Sequence, residues 1–223
     1  MMLENPLSRW IASLRGRQGG VLVKELGERD RRRMLRHFLA LDNSDRLLRF
    51  GIQLPDERIE HYVAGIDFRR DIVLGVFNRR FQLVGVGHLA FAPSDTDPAR
   101  ARATEKERVA EFGVSVSSSA RRQGVGSRLF ERAAIHCRNS DVDTLYMQCL
   151  SSNKTMMHIA KKAGMEIKRE HGEADAYLHL PPPSPSSVMK EALEEQFAMI
   201  DYTMKANARA ARKWLAPRKP PRD

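Results

Sequence analysis

The chain has 223 residues, 42% hydrophobic and 30% charged. That length and balance suit one ordinary soluble domain with an extension and argue against disorder of the whole chain. Lys and Arg number 38 against 28 Asp and Glu, a net charge of +10 that favours anionic partners such as phosphates. Nucleic acid is not expected as a partner, because no Lys/Arg run exceeds Arg31-Arg32-Arg33 and no reading motif accompanies the charge.

Residues 1–20 read as a short polar arm with one helical patch, Leu7 to Leu14, and no apolar stretch of signal-peptide length. Val21 to Leu26 is a first strand. Glu28 to Leu41 reads as a helix with Met34, Leu35, Phe38 and Leu41 on one face. Asp42-Asn43-Ser44 breaks it, and Asp45 to Phe50 follows. After Pro55 a helix runs to about Ala64. Asp71–Asn78 and Phe81–Ala92 are two strands joined by a tight hairpin at Asn78-Arg79-Arg80. Apolar residues on both of their faces predict strands covered on both sides. Residues 93–107 are a loop.

Val109–Val116 is a strand, Ser117 to Ala120 a turn, and Gly124–Arg138 a helix. Asp143–Leu150 is a strand and Asn153–Ala163 a helix that Gly164 ends. Met165–Arg169 and Ala174–Leu180 close a mixed α/β domain over residues 21–182. Residues 183–187 form a Pro/Ser linker. In residues 188–223, Met189, Leu193, Phe197, Ile200 and Met204 make one stripe of a helix, before a tail at Arg218–Asp223. Such a stripe buries itself against the same body or against a second copy, which would give a homodimer; both stay open.

Cys137 and Cys149 form no CxxC pair, and His136, Cys137 and His158 lack zinc-ligand spacing, so no metal site is expected. A reducing cytoplasm fits two unpaired cysteines. No run of about 18 apolar residues occurs, so no membrane span is expected.

The chemistry concentrates in Arg121-Arg122-Gln123-Gly124-Val125-Gly126-Ser127, between a strand and a helix. Two glycines opening a helix leave backbone N–H groups free to meet an anion, and the helix dipole adds positive potential. A diphosphate is the natural guest. Bare glycines opening a helix are common, so the surrounding order of strand, turn and helix matters more than the motif.

This segment resembles the acyl-CoA signature R/Q-x-x-G-x-G/A of the GNAT superfamily of N-acetyltransferases. Downstream, Asn153-x-x-Met156-x-x-Ile159-Ala160-x-x-Ala163-Gly164-Met165 resembles that family's Asn-helix-Gly segment. Upstream, Arg46-x-x-Arg49-Phe50 and Ala110-Glu111-Phe112 resemble a bacterial subgroup that includes protein-lysine acetyltransferases. The resemblance covers roughly residues 21–180. It implies a GNAT-like fold: a central, mostly antiparallel sheet with splayed fourth and fifth strands, helices on both sides, and here a C-terminal helical extension. Acetyl-CoA or another acyl-CoA would be the donor and an unidentified amine the acceptor, with direct transfer between them.

The resemblance also implies roles. Backbone groups of Val114, Ser115 and Val116 would bond the pantetheine, with an N–H near Val116 meeting the thioester oxygen. Arg121 to Ser127 would hold the pyrophosphate, and Asn153 would bond the pantetheine or cap its helix. Glu111 would be the general base. A lysine acceptor, with free pKa of about 10.4, must lose a proton before attack; a salt bridge at an exposed strand end is the plainer account of the same residue. The tyrosine that many members use as general acid is replaced by Ala160; the subgroup also lacks it, and a thiol of pKa near 8.5 leaves acceptably as thiolate. Gly113 permits a bulge or a close approach in mid-strand. A non-catalytic acyl-CoA sensor on the same fold is the competing reading. Arg residues near 46–64 and the hairpin hint at an anionic group on the acceptor.

Overall fold

The structure, a computed structural model, describes residues 21–91 and 108–215. The arm at 1–20, the loop at 93–107 and the tail after Leu215 therefore lie outside the described residues.

Seven strands form one sheet in the order β1-β2-β3-β4-β5-β7-β6. They are β1 (Lys24–Leu26), β2 (Ile72–Phe77), β3 (Leu83–Phe91), β4 (Val109–Val116), β5 (Thr144–Leu150), β6 (Glu166–Glu170) and β7 (Glu173–His179). All neighbours are antiparallel except β4 and β5. The helices are α1 (Arg31–Leu39), α2 (Asn43–Phe50), α3 (Asp56–Gly65), α4 (Val125–Asn139), α5 (Lys154–Ala163) and α6 (Pro185–Leu215).

The sheet separates two cores. Phe112, Leu129, Phe130, Leu145, Met147 and Ala160 pack with α4 and α5 on one side. Met34, Phe38, Ile59, Val63, Phe77 and Val86 pack with α1 to α3 on the other. Apolar side chains on both faces of β2 and β3 are thus covered on both sides, as their continuous pattern predicts.

Several boundaries differ from the sequence reading. β1 begins at Lys24, three residues late, and a 3-10 turn at Glu28–Asp30 precedes α1. Asp42 does more than break a helix: its carboxylate accepts the Asp45 N–H at 2.8 Å and starts α2 at Asn43. Of the expected 183–187 linker, residues 185–187 already belong to α6. The Ser187 N–H donates to Ser184 Oγ at 3.2 Å and the Ser184 N–H to Ser187 Oγ at 3.0 Å, with Pro185 at the first helical position. That is a reciprocal cap followed by the residue best suited to a helix start.

The structure also bears on the question left open for the 31-residue α6. Its apolar stripe does not face the body: Met189 is 63% exposed and Phe197 59%, with Leu193, Ile200 and Met204 similar. The opposite, polar face packs on α4. Arg132, 3% exposed, donates to Glu191 at 2.7 Å and to Glu195 at 3.0 Å, and His136 and Asn139 also meet Glu191. Burial alone would raise the Glu191 carboxyl, but the His136 and Asn139 hydrogen bonds and the Arg132 guanidinium outweigh it and hold it at about 2. Leaving a buried guanidinium without its carboxylates costs more than exposing a row of Met and Leu side chains, so the charged face wins the interior. Farther along, Tyr202 packs on Phe77 and Phe81, and Lys205 donates to the Phe77 carbonyl.

Candidate active site

β4 and β5 pair for three rungs, Val109 with Thr144, Ala110 with Leu145 and Glu111 with Tyr146, and then part. β4 stays paired to β3 up to Val116, and β5 to β7 up to Leu150. A parallel pair that opens part-way leaves β4 from Phe112 onward without a strand partner on that side. The opening is a cleft of about 230 Å3, roofed by α2 at Leu48–Gly51 and lined by Glu111, Gly113, Val114, Gln148, Cys149 and Met156.

The sequence-predicted residues fall at three places around it. Glu111 stands at the last paired rung, its side chain exposed, at the mouth. Of Val114, Ser115 and Val116, only Val114 lines the cleft. The Ser115 hydroxyl turns instead toward α1 and meets His37 Nε2 at 2.8 Å. His37 Nδ1 lies 3.3 Å from the Leu83 carbonyl. Burial drives the His37 pKa down to about 4, so the ring is neutral; its Nδ1–H donates to that carbonyl and its Nε2 accepts from Ser115.

The glycine turn lies beyond the end of β4. Ser118–Ala120 form a 3-10 turn, Arg122 has φ 59°, and Gly124, with φ 78°, is the N-terminal cap of α4. Gly124 takes a left-handed conformation that a side chain resists. The N–H groups of Val125, Gly126 and Ser127 open the helix and have no intrahelical acceptor, so they are free to meet an anion at its positive end. Gln123 braces the turn by donating to the Ser119 carbonyl at 2.9 Å. Arg121 is paired with Asp45 of α2. Arg128, the residue after the turn, points away to Glu131 and Glu194.

Asn153 caps α5, its Oδ1 accepting the Met156 N–H at 3.1 Å, while Nδ2 donates to the Leu48 carbonyl at 3.4 Å. One side chain thus ties α5 to α2 across the open end of the cleft. Ala160 is fully buried in the core, and His158 and Ser152 are exposed. The Cys149 thiol is pushed up by burial and by Asp175, and it donates to Met157 Sδ at 4.0 Å. A protonated, packed thiol is a poor nucleophile. Among the described residues no group of His, Cys, Asp and Glu could hold a metal, and no helix is long and apolar enough to cross a membrane.

Two features of the site escape a sequence reading. Arg49 Nη2 donates to the Tyr62 hydroxyl at 2.9 Å, Tyr62 meets His88 Nδ1 at 2.8 Å, and His88 Nε2 meets Asp71 at 3.2 Å. Burial and the Arg49 charge lower the His88 pKa. A neutral His88 fixes one direction for this chain: Arg49 to Tyr62, Tyr62 to Nδ1, and Nε2–H to Asp71. Second, the Tyr146 hydroxyl beside Glu111 donates to Asp175 at 2.7 Å, and burial with that carboxylate keeps the phenol protonated. The Arg46-x-x-Arg49 spacing was a signal for the first; nothing local marks the second.

A half-open parallel pair, a glycine turn at a helix start and an Asn-capped helix can hold an extended thioester with a diphosphate at one end. Comparison with known proteins agrees. The GNAT domain of S. lividans PAT has the same fold, with TM-score 0.58 at 20% identity over 73% of this chain and 92% of that one. An acetyltransferase of the GNAT family from Streptococcus pneumoniae gives 0.54 at 15%, over 73% and 100%. The yncA protein of Salmonella typhimurium, solved with its cofactor acetyl-CoA, gives 0.53 at 12%, over 74% and 97%. Curated proteins gave no match. The profile of the Acetyltransferase (GNAT) family matches residues 32–165, more than half of the sequence and all of the site elements from α1 to α5, and the chain therefore belongs to the GNAT family of acetyltransferases, whose acyl donor is acetyl-CoA.

Proposed function

We propose that the chain transfers an acyl group, most simply acetyl, from its coenzyme A thioester directly to a primary amine of a protein lysine or a small molecule. The observation that carries this reading is the placement of Glu111. It occupies the last paired rung of β4 and β5, at the mouth of the cleft, while the free N–H groups that open α4 lie past the end of the same strand. Glu111 takes the acceptor's proton directly or through a water. The pantetheine lies along Val114 to Val116, and a β4 N–H near Val116 meets the developing oxyanion. Arg121 to Ser127 hold the pyrophosphate, and Asn153 reaches the pantetheine from its cap position. The thiolate leaves without a general acid on α5, consistent with the buried Ala160.

Arg46, Arg49, Phe50 and Ala160 support placement with the bacterial protein-lysine acetyltransferases. The chain acts in the cytoplasm in this reading. The stripe on α6 pairs with a second copy of the chain, since its own body takes the polar face. A 31-residue helix is roughly 45 Å long at 1.5 Å per residue, enough to present several turns to a symmetric partner.

The test is thiol release from acetyl-CoA across a panel of amines and lysine peptides, with product masses. Amine-dependent release and a mass gain of one acetyl group support direct transfer. Stoichiometric acetyl-CoA binding with no acceptor-dependent release would favour a sensor instead.

A further inference from the structure

The cleft holds one cation that acyl transfer does not use. Arg49 lies in its wall, with its guanidinium 5.0 Å from the centre of the Phe50 ring and 5.7 Å from that of Tyr62. One N–H is spent on Tyr62. The Nε is buried and has no hydrogen-bond partner, and no described carboxylate forms an ion pair with Arg49.

A buried Nε without a partner is shared with Arg33 and Arg132, but other arginines have carboxylates that Arg49 lacks. Arg46, one turn earlier, gives its N–H groups to the carbonyls of Leu39, Leu41 and Leu54 and pairs with Asp56. Arg121 has Asp45, and Arg132 has Glu191 and Glu195. An enclosed guanidinium with an unused donor is expensive, and the fold makes room for this one. A Cβ on Gly113 would lie 2.6 Å from its Cζ, Nη1 and Nη2. Glu111 and Glu173 line the same cleft, and Arg49 is the one cationic residue of its lining, so an anion entering it is attracted only there.

We propose that Arg49 determines specificity by binding a carboxylate on the substrate, through the planar fork that guanidinium groups present to that anion. The proposal rests on the cleft being the acyl-transfer site. The carboxylate can come from two sources, the free end of a dicarboxylic acyl chain on the donor or a carboxylate borne by the acceptor amine.

Thiol-release kinetics on the full chain separate the sources. One arm compares succinyl-CoA with acetyl-CoA on a single neutral amine. The other compares, with acetyl-CoA, amines that differ only in a carboxylate or its amide. The carboxylated member of one pair should be favoured by about tenfold or more in kcat/KM. Arg49→Gln should abolish that preference while the uncharged member changes little, and Arg49→Lys should restore part of it. Equal use of both members in both arms, or an equal loss on all substrates in Arg49→Gln, overturns the proposal. Calorimetric titration of the same amines, and of succinyl-CoA against acetyl-CoA, reads the preference without turnover. Absence of turnover then counts against the transferase reading, and absence of preference against the role of Arg49.

Discussion

Gly113 and Arg49 occupy one space: the β-carbon that Gly113 lacks would overlap the Arg49 guanidinium, at 2.6 Å from three of its atoms. The β3–β4 register runs unbroken past Gly113, so the glycine does not make a bulge; it admits a side chain. Gly113→Ala should therefore push Arg49 off the cleft wall and away from Tyr62. We expect Gly113→Ala to lose the preference for the carboxylated substrate as Arg49→Gln does, with little change on the uncharged one and a modest change in melting temperature. An unchanged preference in Gly113→Ala would mean the position of Arg49 is not needed.

Glu111→Gln keeps the shape and removes the base. General-base catalysis is typically worth about 10²–10⁴-fold, so turnover should fall within that range while acetyl-CoA affinity, measured by titration, stays put. The loss should shrink as pH rises toward the pKa of the amine, since the acceptor then arrives deprotonated. A loss independent of pH would point to a role in binding the acceptor.

The two glycines of the donor turn should behave differently. Gly124 sits at φ 78°, where a side chain costs roughly 1–2 kcal/mol. A Cβ on Gly126 would meet Ile159 Cδ1 at 3.4 Å, an ordinary contact. Gly124→Ala should raise the KM for acetyl-CoA severalfold and lower stability, and Gly126→Ala should do neither to the same degree. Equal effects would show that the free N–H groups matter less than the bulk of the turn.

Much of this was legible in the sequence, because it is local. A strand, a glycine turn, a helix and an Asn cap each leave their mark within a few residues. What was not legible depends on distant partners. The relay from Arg49 through Tyr62 and His88 to Asp71 draws on α2, α3, β3 and the residue before β2. The face that α6 turns to the body stayed open in the sequence because a hydrophobic stripe says nothing of Arg132, buried on α4 and in need of Glu191 and Glu195.

That exposed stripe makes a prediction of its own. If it joins two copies, light scattering after gel filtration should give twice the mass of 25.4 kDa. Phe197→Asp with Ile200→Asp should halve the mass and leave the spectroscopic signature of the fold intact. A wild-type monomer at micromolar concentration would remove the dimer.

His37 sets the last expectation. Its folded pKa of about 4 lies below the free value of 6.5, because burial of the ring, helped by the Arg49 charge, outweighs the hydrogen bond to Leu83. Between those values the unfolded chain binds a proton that the folded chain refuses. Stability is therefore full above pH 6.5 and falls as the pH drops toward 4, by about 1.4 kcal/mol per unit and roughly 3 kcal/mol in all. Glu191 acts lower: its depressed carboxyl contributes fully above the free value of 4.5 and is lost as pH falls toward 2. His37→Gln, which cannot titrate, should flatten the slope of melting temperature between pH 6.5 and 4.5 and leave the steeper loss below pH 4.5. An unchanged slope in that variant would assign the acid sensitivity to another group. Because Ser115 shares both His37 and the strand that ends at the donor turn, acetyl-CoA affinity in the wild type should hold down to about pH 4 and weaken only there, where the folded His37 takes up its proton.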